Sequence, residues 1–449
     1  MPPLAKQVLT AIGGDVLAKY GTLIWRKAPP AFGGETPYTF TRTGNGLYLA
    51  NDAVAGGLVV KTAASGNVRV EQLVDPVTLQ LQNYLKLEAA ATNNCLQSQA
   101  MATGPWTPGL TTLTNNNGTA PDGTNTATSV IPTAVNGTHE DFQTITSTAG
   151  EFIAVSMFVQ AVGSYTGLRL VCFDGTNQFG EMFNLSGVGT TPADVTVGTG
   201  TVSGKAIIAL GGGWYWCAVW GKVSLATTQI YCTVFPNGST QSAYTGDGTS
   251  GLKCWGAQFE RNGSAPLPPT SYIATTTVAV TRNVDAFTVP FFVTPANMAP
   301  AWFYGRLIER GDSATPGTSP RVIALGTYPT GWVGLFGVNG VTGHYAFQHS
   351  EPGPLSVVSD VTTGAVFGNV VELLGLLFPD GSTQIRASVN GGPDIVAARS
   401  SAQTFNIVPA RKLGIGNDAD GNASGLNLLS RVLVGLGSVG TIADVRNIL

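Results

Sequence analysis

The chain has 449 residues, only 11% of them charged, with 23 Lys+Arg against 26 Asp+Glu and a formal net charge of −3. Soluble domains usually carry about 25% charged residues, and with no Lys/Arg run the electrostatic footprint of a nucleic-acid binder is missing. Apolar runs such as Val370 to Phe378 fall far short of the ~20 residues of a membrane-spanning helix.

At about 100 to 200 residues per domain, this length implies two or three units. Glycine (58 residues), with Thr, Ala, Val and Asn in place of charge, favours sheet and tight turns over helix. The expected fold class is all-β. Near the N-terminus Leu4, Val8, Leu9, Ile12, Val16 and Leu17 recur at helical spacing, weakened by Gly13-Gly14. An amphipathic helix on a β chain needs something to bury it, so residues 1–35 are a candidate attachment segment, with packing on its own domain as the alternative. The segment lacks the continuous apolar run and cleavage site of a secretory signal. Synthesis in the cytoplasm is therefore expected.

Residues 36–94 hold short β segments divided by Gly44-Asn45-Gly46 and Gly56-Gly57 at hairpin spacing, a small β module. Residues 95–285 carry strand-like runs separated by Gly/Asn/Asp/Thr turns, the requirement of a double-sheet sandwich or jelly roll. Leu185 to Gly204 is so rich in Gly and Thr that a long surface loop is expected there. From Gly251 to Phe287 a hydrophobic strand, a bend with Pro266, Pro268 and Pro269, and a Thr-rich run follow one another. Proline removes ladder donors, so one element closes here, and the order reads as a domain seam. Residues 286–449 repeat the pattern with eight further strand-like runs and a short closing helix that Thr441 would cap.

The strings "YTFTRTGNGLYLAND" and "LKLEAAATNNCLQSQ" resemble the N-terminal module of bacteriophage tail-fibre and virion surface proteins. "GGWYWCAVWG", "GDGTSGLKCWGAQFERN" and "PTSYIATTTVAVTR" look like the jelly roll, similar to carbohydrate-binding modules, that follows in such proteins. "FPDGSTQIRASVNGG", "KLGIGNDADG" and the C-terminal run look like a concanavalin-A-like, laminin-G-like lectin sandwich. The resemblance implies a structural protein displayed on the virion, a short tail fibre or spike. It implies a homotrimer docked to other virion proteins through its N-terminal segment and able to contact host-surface glycans. A capsid decoration or head fibre and a polysaccharide-degrading enzyme are the alternatives. Heptads and shaft repeats are missing, which favours a short fibre over a long thread.

Chemistry-bearing residues are sparse. GxSxG, HExxH and P-loop patterns do not occur, and the acids sit in turn contexts, Asp122-Gly123, Asp174-Gly175, Asp247-Gly248 and Asp380-Gly381, that read as turn formers. Catalysis is not expected. Five cysteines, an odd number without a CxxC pair, lie mostly in apolar runs and read as reduced core residues. Trp214, Trp216, Trp220 and Trp255 fall at alternating strand positions and are expected to face the core. Tyr328, Trp332, His344 and Tyr345 flank Pro/Gly-rich turns and are the candidate glycan-binding residues, with local packing as the alternative. Asn417, Asp418, Asp420 and Asn422 place several oxygen ligands close together. They are a candidate calcium loop without the bidentate Glu of an EF-hand, a plain polar turn being the alternative.

Overall fold

The structure is a computed structural model that describes residues 39–41, 46–52, 57–63, 69–74, 77, 79, 81–236, 243–264, 266–293, 300–309, 321–326, 332–338, 343–350, 356–366, 368–399, 410–415, 428–436 and 440–448. Residues 1–35, the expected attachment segment, lie outside them. The fold is all-β with antiparallel pairing, and the chain divides into two units. The central unit comprises the described parts of Asn45–Ala63 and Ala91–Arg282; the terminal unit comprises those of Met1–Gly44, Ala64–Ala90 and Asn283–Leu449.

The central unit is a sandwich of two six-stranded sheets. One orders Thr190–Asp194, Gln178–Asn184, Gly167–Phe173, Thr227–Phe235, Glu140–Thr146 and Thr107–Gly109. The other orders Thr201–Ala209, Trp214–Lys222, Phe152–Val162, Gly251–Arg261, Thr128–Pro132 and Thr111–Thr114. Phe152–Val162 is apolar on both faces for a reason visible in its period of two. Ile153, Val155, Met157 and Val159 enter the core between the sheets, while Phe158 joins Trp214, Trp255 and Tyr272 in a second cluster. Trp255 reaches that cluster because the strand bulges at Gly256, where φ is +67° and Ser156 pairs Gln258 but Phe158 pairs Trp255. Trp214, Trp220 and Trp255 are buried as expected, and Trp216 is half-buried.

Leu185 to Gly204, expected as a loop, instead supplies the strand Thr190–Asp194 and the start of Thr201–Ala209. Both are sheet edges; Thr190–Asp194 is mostly exposed and Thr201–Ala209 mostly half-buried, so full apolar alternation is not required. Lys205 joins the two edges, donating to Asp194 Oδ1 at 2.6 Å and Glu181 Oε2 at 2.8 Å.

The terminal unit holds two seven-stranded sheets. The first orders Thr39–Thr41, Ala286–Val293, Ala410–Ile415, Arg321–Gly326, Trp332–Gly337, His344–Ser350 and Ser356–Thr362. The second orders Ile395–Arg399, Thr383–Val389, Val370–Leu377, Ala301–Ile308, Leu428–Leu436, Leu81–Lys86 and Arg69–Val74. Val322, Leu325, Leu335 and Phe347 of one meet Phe303, Leu307, Leu373 and Ile385 of the other in the core. The closing helix, Ile442–Ile448, is capped reciprocally: Asp444 N donates to Thr441 Oγ1 at 3.1 Å and Thr441 N to Asp444 Oδ2 at 2.7 Å.

The segment 36–94, expected as a module of its own, is distributed over both units. Its hairpin Gly46–Asp52 with Gly57–Ala63 belongs to the central unit, where Val60 N donates to Pro121 O at 3.2 Å. Its hairpin Arg69–Val74 with Leu81–Lys86 extends a terminal-unit sheet. At the return from the central unit Ala91–Asn93 pairs with Val280–Arg282. Two side chains tie the proline bend before it to the hydrophobic strand. Gln258 Oε1 accepts Ile273 N at 2.7 Å, and Glu260 Oε1 accepts Thr270 N at 3.0 Å. The prolines end the ladder, and these polar side chains replace its hydrogen bonds.

Candidate functional site

Two of the aromatic residues expected at the surface of the terminal unit, Trp332 and Tyr345, are not there. Trp332 opens the strand Trp332–Gly337, all of whose residues are buried. Val333 and Leu335 face the main core, and Trp332 and Phe336 pack on Ala324 and Ala346. The Arg321 guanidinium covers the Trp332 ring at 4.4 Å from its centroid. Tyr345 is equally buried and donates its hydroxyl to Glu309. Neither ring offers a face on which a sugar could stack, which corrects the expectation drawn from the neighbouring Gly/Pro turns. His344 Nε2 lies 2.9 Å from Asp360 Oδ2 at the surface. Tyr328 and the loop residues Asn417, Asp418, Asp420 and Asn422 lie outside the described residues. Among the described residues, no cluster of three or more His, Cys, Asp or Glu is arranged to hold a metal ion.

The structure instead forms a groove in the central unit, of about 370 Å³. Three local features build it. The strand Gly57–Ala63 contributes Val59, Val60 and Lys61; the turn before Thr128–Pro132 contributes Thr119 to Gly123; and Gln160, Gly211, Gly212 and Trp214 form the remaining wall. Val60, Ala120 and Trp214 belong to the cluster that contains Phe158, Trp255 and Tyr272, so the floor is apolar and backed by packed rings. The Trp255 and Tyr272 centroids are 4.8 Å apart. Such a floor resists collapse, because its aromatic neighbours already fill the space behind it.

Lys61, Asp122 and Gln160 supply an ammonium, a carboxylate and an amide to the lining. Gln160 Nε2 donates to Gly212 O at 2.5 Å, which fixes the amide on the turn Gly211–Gly213. Gly212 and Gly213 have φ of 69° and 77°, a conformation that side chains rarely adopt. Asp122 Oδ1 accepts Thr124 N at 3.0 Å and Thr124 Oγ1 at 2.6 Å, holding the opposite turn. An apolar floor with a few convergent polar groups is the usual make-up of a small-molecule site. Among the described residues one carboxylate, that of Asp122, lines it.

Sequence reasoning singled out Asp122 only as a turn former, a role that its bonds to Thr124 show. The groove itself draws on positions from Val59 to Trp214, with no local pattern that links them. Elsewhere, carboxylates come together around a cation. Glu181 and Asp194 share Lys205, and burial pushes the Glu181 carboxyl up to about 7. In the terminal unit Arg69 bridges Glu88, at 2.6 Å, and Asp285, all three buried.

No protein-family description matches the chain, and no curated protein does. Among solved structures the chain is similar to the crystal structure of a tail fiber protein, gp63.1, from an E. coli phage. Identity is 12% and the TM-score 0.19, over 82% of this chain and 40% of that one.

Proposed function

We propose that this chain is a structural protein displayed on a phage virion, a short tail fibre or spike, that adheres to host-surface glycans through the central-unit groove. The observation that carries the adhesive part is the groove's lining: an apolar floor containing Trp214, with Lys61, Asp122 and Gln160 among its polar groups. A sugar ring presents an apolar face and a rim of hydroxyls, and this lining matches both. The virion part rests on the resemblance of the chain's sequence strings and on two weakly charged β units. In this reading residues 1–35 dock to other virion proteins, the assembly is a homotrimer, 95–285 is a carbohydrate-binding-module-like jelly roll and 286–449 a lectin-like sandwich.

Titration of the full-length protein with purified host-surface polysaccharide tests the reading. Binding is expected, weakened tenfold or more in Gln160→Ala and Lys61→Ala, without release of new reducing ends. Equal binding by wild type and both variants would remove the groove from the mechanism. Antibody-gold labelling of purified particles tests the location, and particles without label would overturn the virion assignment.

A further inference from the structure

All five cysteines are free and fully buried, and all lie in the inter-sheet core of the central unit. Two of them meet across it. Cys232 lies on Thr227–Phe235 in one sheet and Cys254 on Gly251–Arg261 in the other, with their Sγ atoms 3.7 Å apart. A disulfide has its sulfurs about 2.05 Å apart, so closure needs an approach of roughly 1.7 Å. The flanking residues Ile230, Val234 and Leu252 are fully buried and hold both strands in place. Both strands are pinned on each side by sheet neighbours: Thr227–Phe235 between Gly167–Phe173 and Glu140–Thr146, and Gly251–Arg261 between Phe152–Val162 and Thr128–Pro132.

We propose that Cys232 and Cys254 are a latent cross-sheet disulfide, open while the chain is made in a reducing compartment and closed by a small oxidant afterwards. Closure ties the two sheets of the central sandwich together covalently. With hydrogen peroxide as oxidant, one thiolate sulfur attacks a peroxide oxygen, the O–O bond breaks, and hydroxide leaves and takes up a proton as water. The resulting sulfenic acid is attacked by the second sulfur, its S–O bond breaks, and a second water leaves. Two thiols and one peroxide give one disulfide and two waters. The neighbouring Cys232 thiol and burial raise the Cys254 thiol well above its usual range, so the reactive thiolate forms during transient openings of the sandwich. Oxidation is therefore slow in the closed fold and faster in mild denaturant.

The test uses the full-length protein, incubated with hydrogen peroxide in sub-denaturing urea. Thiols are then counted in guanidinium and the products mapped by peptide mass spectrometry. The expected result is a fall from five thiols to three, a Cys232–Cys254 linked peptide, and a central-unit melting temperature raised by several degrees and restored by reductant. Cys254→Ser should keep all four remaining thiols and show no rise. Three results would overturn the proposal: five thiols persisting under conditions where central-unit amides exchange, a link that maps to Cys217 instead, or a linked protein that melts lower than the reduced one. The wild-type mapping decides the matter even if the serine variant does not fold.

Discussion

Asp141 gives the most direct test of how the central core is built. It lies on Glu140–Thr146, where Asp141, Gln143 and Ile145 are the buried alternate residues. Gln143 satisfies its amide on the Leu96 backbone, at 2.8 and 2.9 Å. Asp141 is fully buried; among the described residues neither carboxyl oxygen has a side-chain partner, and the Phe142 N–H favours its charge. Burial therefore pushes its carboxyl up to about 8, from 3.8. Between these values the folded chain holds a proton that the unfolded chain has released, so stability falls as pH rises, by about 1.4 kcal/mol per unit, and levels off above pH 8. From pH 4 to 7 the loss is about 4 kcal/mol. Asp141→Asn removes the ionisation while keeping the shape. Its buried amide costs roughly 1–3 kcal/mol, but that cost does not change with pH. Urea unfolding of both proteins at pH 5, 6, 7 and 8 gives a difference curve in which Glu181 and the other carboxylates cancel. The difference should shift in favour of the asparagine variant by about 1.4 kcal/mol per pH unit and then flatten. Parallel stability curves would refute the assignment of a buried, protonated Asp141.

Three further substitutions probe the terminal unit. Arg69→Met leaves the Glu88 and Asp285 carboxylates buried without their guanidinium, and urea unfolding should show a loss of about 3–5 kcal/mol; a loss below ~1 kcal/mol would mean that water reaches the cluster. Trp332→Ala should cost about 3–5 kcal/mol of terminal-unit stability while the folded fraction keeps its polysaccharide affinity; lost affinity without lost stability would return Trp332 to a binding role. Thr441→Ala removes one half of the reciprocal cap and should lower stability by ~1 kcal/mol, checked by thermal melting, with an unchanged melting curve as the contrary result.

What could be read in advance was whatever the chain encodes over a few residues. The four Asp-Gly pairs are such features. Asp174 Oδ1 accepts Asn177 N at 2.6 Å, Asp247 Oδ1 accepts Ser250 N at 2.6 Å, and Asp380 Oδ1 accepts Ser382 N at 2.9 Å, each followed by a glycine at positive φ. The apolar strands and the capped closing helix were legible for the same reason. Exposure was not. A Gly/Pro turn beside Trp332 predicts a wet ring, but the ring's surroundings are set by Arg321, eleven positions earlier and on another strand. Edge strands such as Thr190–Asp194 fail in the opposite sense, because a strand with little to bury carries little apolar signal.

Domain boundaries required the longest reach. The hairpins in 36–94 are local and were legible, but their sheet membership depends on partners such as Leu428 and Leu429, which pair with Lys86 and Leu85. The larger part of the central unit, Ala91–Arg282, is thus an insertion between parts of the terminal unit, and such an insertion needs its point of departure and its point of return held in register. Arg69 meets this need, with Glu88 just before the chain departs and Asp285 just after it returns. Glu88 N donates to Asp285 Oδ2 at 2.9 Å, and Asp285 N to Glu88 O at 2.9 Å, joining residues 197 positions apart. A lone Arg, Glu and Asp at such separations look like ordinary surface charges in a sequence. Only their complete burial distinguishes them, because a buried guanidinium is stable where two carboxylates meet it and costly anywhere else.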